Sequence, residues 1–209
     1  MKGKKSQKEE TKEAALTSEE AKDTQAKKTK KKNPINIKKL VVAAFLVAIA
    51  VVLSGFSFPI GASRCYPIQH LCNVIAAVFL GPGYALGMAF CASAIRFMMG
   101  TGTLLAFPGS MVGAWLGGFL YKKFGKLFTA YIGEIFGTGI LGALICYPIA
   151  TLLMGKDAAL FTYVIPFLIS TSVGTAFAAV ILAALYKSGA LAYLKRLLET
   201  GVKKHAAKP

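Results

Sequence analysis

Apolar residues fill the chain from Leu40 to Tyr186 in six stretches, separated by short joints that carry polar residues, glycine or proline. They run roughly Leu40–Phe56, Ile68–Leu80, Tyr84–Met99, Pro108–Tyr121, Leu127–Met154 and Tyr163–Tyr186. A helix that crosses a bilayer needs about 20 apolar residues. The second, third and fourth stretches fall short of that, so they are expected to extend into their flanks, thin the bilayer locally or sit partly inside the bundle. The pattern predicts an all-α integral membrane protein built as a bundle of six transmembrane helices. Residues 1–35 lie outside it as a Lys-rich tail with no apolar face to bury, disordered or partly helical. Residues 36–198 make the membrane domain, and 199–209 a short basic tail.

Composition sharpens the class. The mean hydropathy is +0.56, and only Glu134, Asp157 and Glu199 supply acid after residue 33. A soluble domain of this length would spread carboxylates over its surface. The formal charge of +16 would suit nucleic acid, but the Lys and Arg residues sit in the tails and at span ends, so no nucleic-acid partner is expected. Lys38 and Lys39 precede the first span, Lys122, Lys123 and Lys126 join the fourth and fifth, and Lys187, Lys195 and Arg196 follow the sixth. With six spans all of these fall on one side, which the positive-inside rule makes the cytoplasm. The other side carries Arg64 and the Lys156/Asp157 pair. Both termini are then cytoplasmic, and the chain is a multi-pass protein of the cell membrane. The lysines at 27, 28, 30, 31 and 32 either draw the tail to anionic lipid or are simply solvated. No signal peptide is read, because the apolar run begins too late.

The densest polar cluster inside the apolar body is Ser63-Arg64-Cys65-Tyr66-Pro67-Ile68-Gln69-His70-Leu71-Cys72-Asn73. With Pro67 in the first turn of a helix, where its missing N–H costs nothing, Gln69, His70 and Asn73 share one face. Lipid does not tolerate such a face, so it must meet protein or a wet cavity. Arg96, near the outer end of the third span, either snorkels to the surface or enters a pocket. Glu134, within the fifth, either receives a ligand or pairs with Arg96 or His70. The segment Thr101–Ser110 enters the fourth span at Pro108. It brings the Ser110 hydroxyl and backbone N–H groups to the outer pocket mouth, with Phe107 as a possible aromatic wall. Ser170, Thr171 and Gly174 form a small, mildly polar face on the sixth span.

Two small-residue stripes are read as packing. Ala44 and Ala48 let another helix approach the first span closely, and Gly109, Gly113 and Gly117 do the same within the bundle on the fourth. The four cysteines show no metal-ligand spacing and read as buried apolar thiols, so no metal site is expected. No phosphate-binding loop or hydrolase motif occurs. The chain is expected to be no enzyme and to use no cofactor.

These residues carry a resemblance. A small six-span protein with an Ala-x-x-x-Ala first helix and a Gly81-Pro82-Gly83 turn resembles a substrate-binding S component of the energy-coupling-factor (ECF) vitamin transporters. The segments Gly61–Asn73 and Gly100–Ser110 are similar to those of the ThiW family, and the likeness covers about Lys38 to Leu198. It implies capture of a thiamine precursor, hydroxyethylthiazole, from outside. Release would follow docking onto a membrane coupling (T) subunit served by two cytoplasmic ATPase subunits, which use the ATP. In that scheme Ala44 and Ala48 form the docking seam, while Arg64, Gln69, His70, Asn73, Arg96, Phe107, Ser110 and Glu134 are substrate-binding candidates. Rival readings are an S component for hydroxymethylpyrimidine or thiamine, a stand-alone small-solute transporter, and an intramembrane enzyme using Glu134 with His70.

Overall fold

A computed structural model describes residues 35–203 apart from Ala62, Lys156 and Ala158. All but the last residue of the tail expected for residues 1–35, its lysine cluster, Lys156 and the last six residues of the basic C-terminal tail lie outside the described residues. Helix α1 (Ile37–Val52) starts at Asn36, whose side chain accepts from the N–H groups of Lys38 and Lys39 at 3.1 and 3.3 Å. This is the capping that Asn favours, since the first turn has no internal acceptors for those donors. A single 3₁₀ turn (Leu53–Gly55) ends it. Then follow strands β1 (Phe58–Ile60) and β2 (Ser63–Cys65), paired antiparallel with Phe58 opposite Cys65. The sequence does not announce this hairpin: three residues per strand are too few for an alternating pattern.

Helices α2 (Pro67–Phe79) and α3 (Pro82–Met98) each begin on proline. Gly81 between them takes φ +85°, a left-handed conformation that glycine adopts without steric cost. Helix α4 (Ala106–Phe124) starts two residues before the expected Pro108. That proline still falls in the first turn, where its lack of an N–H breaks no intrahelical bond. Helix α5 (Leu127–Leu153) is interrupted by π-helical turns at Gly137–Gly142 and Ile149–Leu153. Helix α6 (Val164–Lys187) completes the apolar set. The amphipathic α7 (Ala190–Lys203) follows, running across the boundary drawn at residue 198.

Among the described residues, three helices are long and apolar enough to cross a membrane, Ile37–Gly55, Leu127–Leu153 and Val164–Lys187, with Pro67–Phe79 a shorter apolar helix. Ten of the 13 residues of α2 are buried, so this short helix is an interior one. It touches α1, α3, α4, α5 and α6, and the main apolar core lies around Val74, Ala76, Val78 and Leu80.

One end of the bundle is tied together by basic residues. The Asn36 N–H donates to the Tyr84 hydroxyl at 2.8 Å, and its side-chain amide donates to the Leu198 carbonyl. Lys38 Nζ donates to Leu197 O at 3.0 Å, and Lys39 Nζ to Leu80 O at 3.2 Å. Lys195 meets the Tyr121 hydroxyl, and its ammonium lies 4.0 Å from the ring centroid. The starts of α1 and α3, the ends of α2 and α4, and α7 therefore share this end. The polar start of α2 lies at the other.

Candidate functional site

Helix α6 presses on the first turn of α2. A Cβ added at Gly174 would stand 2.7 Å from the Cβ of His70, so only glycine permits the contact. The Tyr66 N–H donates to Ser170 Oγ at 2.8 Å. The buried Cys65 Sγ donates to Pro166 O at 3.3 Å, which ties β2 to the same helix, and burial pushes its thiol pKa up. With its start fixed in this way, α2 aims one polar face into the bundle.

Two hydrogen-bonded groups form along that face. In the deeper one, Oε1 of the fully buried Glu134 accepts from Asn73 Nδ2 at 2.9 Å and from Thr138 Oγ1 at 3.2 Å, and lies 2.9 Å from His70 Nδ1. Three side chains thus converge on one carboxylate oxygen, and Nε2 is the second polar atom of the His70 ring. Asn73 Nδ2 also reaches Ser110 O at 3.2 Å. Glu134 Oε2 and Asn73 Oδ1 have no partner among the described residues.

In the shallower group, Arg96 is fully buried, although it sits at the end of α3. Its Nη1 donates to Gln69 Oε1 and its Nη2 to Thr101 O at 3.4 Å. The guanidinium carbon lies 3.8 Å from the centroid of the Tyr66 ring, a cation–π contact. The Tyr66 hydroxyl donates to Thr101 O at 3.0 Å. Gln69 Nε2 donates to Ser93 Oγ at 3.1 Å, and the Ser93 and Ser110 hydroxyls are 3.0 Å apart.

Between these groups and the hairpin is a cavity of about 420 Å³, its open mouth included. Of the sequence-derived candidates, Arg64, Gln69, His70, Arg96 and Ser110 line it. Arg64 is exposed at the rim and donates to Ser57 Oγ at 3.1 Å. Asn73 and Glu134 stand behind His70, outside the lining. Phe107 is turned toward Phe90 and Phe97, with ring centroids 5.8 and 6.3 Å away, and does not line the cavity. Aromatic wall comes instead from Tyr66 and Phe167. Phe167 carried a legible signal, since it precedes Ser170, Thr171 and Gly174 at helical spacing on one face. Ala44 and Ala48 are exposed on α1 and do not line the cavity. Among the described residues, no three His, Cys, Asp or Glu side chains come together.

Over residues 40–188 the sequence matches the family described as thiamine-precursor transporter protein (ThiW). The chain belongs to the ThiW family. No curated protein gives a match. ThiW proteins are transporters and not enzymes, so the rival reading of an intramembrane enzyme falls away. A ThiW chain handles a small molecule at a membrane, which agrees with the three apolar helices.

Proposed function

We propose that the chain is the substrate-binding S component of an ECF-type transporter. In this reading six helices span the cell membrane, both termini and α7 are cytoplasmic, and the cavity faces outward. The thiamine precursor captured there is hydroxyethylthiazole. Import is driven by a membrane coupling subunit, which α1 meets through Ala44 and Ala48, and by the two cytoplasmic ATPase subunits that serve it.

The observation that carries the reading is the placement of the cavity at the end of the bundle opposite the basic ties. Positive residues mark the cytoplasmic side, so a cavity at the far end receives ligand from outside. The sequence holds no phosphate-binding motif, so in this reading ATP is hydrolysed by the partner subunits. A thiazole is small, with one ring nitrogen and one hydroxyl, and needs few polar groups and some aromatic wall. Tyr66, Phe167, His70 and Arg96 offer both kinds of contact.

Mass spectrometry of ligand co-purified in detergent tests the substrate, and liposome uptake tests the machinery. Retained, unmodified thiazole is the expected outcome, with uptake only when coupling and ATPase subunits are present. Uptake by the chain alone would replace the S-component reading with that of a stand-alone transporter. Orientation has its own test, in a variant without the native cysteines. Asp157→Cys is expected to react with an impermeant thiol reagent from outside intact cells, and Lys123→Cys only after permeabilisation.

A further inference from the structure

The cavity is short of negative charge. Among the described residues, Asp157 and Glu199 are exposed, and Glu134 is the one buried carboxylate. Glu134 does not line the cavity: its Oε1 is shared by His70, Asn73 and Thr138, and its Oε2, without a partner among the described residues, lies beside Gly113 of α4, which is also outside the lining.

Positive charge is at the wall itself. Arg96 is fully buried, and every partner it has is neutral: Gln69 Oε1, Thr101 O and the face of Tyr66. Its Nε–H has no partner among the described residues. A guanidinium cannot shed its proton inside a protein. Little water or salt reaches a buried group to screen it, so its field acts on whatever enters. Arg64 adds a second positive group at the rim.

We infer that the cavity selects an uncharged ligand with a hydrogen-bond acceptor for Arg96, and refuses cations. Arg96 is the charge filter. The inference rests on reading this cavity as the thiamine-precursor site, and it narrows the substrate class within that reading. A neutral thiazole, with a ring nitrogen and a hydroxyl oxygen as acceptors, is admitted. A thiazolium, in which alkylation of that nitrogen fixes a positive charge and removes the acceptor, is refused. Thiamine is such a thiazolium, so the site distinguishes the precursor from the finished vitamin.

The test is calorimetric titration of the purified chain in detergent with three probes: 4-methyl-5-(2-hydroxyethyl)thiazole, its N-methyl thiazolium salt, and thiamine. The neutral thiazole is expected to bind at least about 100-fold more tightly than either cation. Arg96→Gln, which keeps polar atoms and loses the charge, is expected to narrow that gap to below about tenfold. Arg96→Lys, which keeps the charge, is expected to preserve it. This pair separates charge from the bulk and lost acceptor of the methylated probe. A cation bound by the native chain within about threefold of the neutral thiazole would overturn the inference. So would a gap unchanged in Arg96→Gln. Binding of neutral 4-amino-5-hydroxymethyl-2-methylpyrimidine in place of the thiazole, weakening as acid protonates it, would remove the thiazole assignment while supporting the charge filter.

Discussion

Helices α1 and α4 both carry small residues four apart, and the bundle uses them in opposite ways. In α4, Gly109, Gly113 and Gly117 are buried against α5, where they meet Gly142, Gly137 and Gly133. A Cβ built at Gly133 would lie 2.5 Å from the Cα of Gly117, and one at Gly142 would lie 2.6 Å from the Cα of Gly109. The two backbones are therefore in direct contact. In α1, Ala44 and Ala48 are exposed, and the buried face of that helix is Ala43, Leu46 and Ala50 instead. Small-residue spacing states how closely a neighbour can approach. Whether that neighbour belongs to the same chain is decided by topology, and α4 has its partner already.

The α4–α5 contact also positions the deeper polar group. Gly113 lies against Glu134 and Thr138, and the Thr138 hydroxyl is 3.0 Å from Gly109 O. The π-helical turn beginning at Gly137 falls at this crossing. π-turns inside α-helices are frequent at functional sites. On α1 the exposed neighbours of Ala44 and Ala48 are Val41, Phe45 and Val52, which suit lipid and protein equally.

The comparison is broken most sharply by filling the inner seam. Gly113→Val would put its Cβ 2.7 Å from Glu134 Oε2 and still nearer Thr138 Oγ1. Overpacking costs about 1–3 kcal/mol and sometimes more, and here it strikes a buried carboxylate as well. A loss of about 3 kcal/mol or more is expected, seen as a large fall in the unfolding temperature of the detergent-purified chain. A native melting temperature would mean that α4 and α5 can part without penalty.

Next in size is the polar group beneath the cavity. Glu134→Ala leaves His70 and Asn73 without their shared acceptor, and an unmet buried partner costs about 1–3 kcal/mol. Both thermal stability and ligand affinity are expected to fall, because His70 loses the bond that orients it. His70→Ala is expected to lower affinity by a similar amount of about 1–3 kcal/mol, with a smaller change in unfolding temperature. Equal stability losses with unaltered affinity would assign His70 to packing.

Much of this was legible before any coordinates, for a physical reason. A helix in lipid must hide every polar side chain, so Gln69, His70, Asn73, Arg96 and Glu134 stood out by type alone. Their pairings did not. Glu134 is 64 residues from His70 and 61 from Asn73, and helical spacing says nothing across such separations. Of the two pairings left open for Glu134 it takes the one with His70, and Arg96 turns inward to Gln69 and Tyr66. Phe107 misled because an aromatic beside a polar loop has two walls to choose from. Its ring joined Phe90 and Phe97, and the cavity took Tyr66 and Phe167. The hairpin and the π-turns were invisible, since neither leaves a periodic mark in so few residues.

The smallest expected effect on the isolated chain comes from the outer stripe, and for that reason it discriminates best. Ala44→Trp with Ala48→Trp adds two bulky groups to an exposed face. Among the described residues no helix buries those positions, and the cavity is lined from other elements. Affinity for the thiazole should stay within about threefold, or about 0.7 kcal/mol, and the unfolding temperature should barely move. ATP-driven uptake in cells or in reconstituted liposomes should nevertheless disappear, because a coupling subunit seated on the stripe could no longer approach. Normal uptake with normal binding would mean that the face meets lipid alone, and the docking seam would have to be sought elsewhere on the bundle. Lost binding together with lost stability would show that α1 is packed more tightly than its exposure indicates, which would erase the contrast with α4.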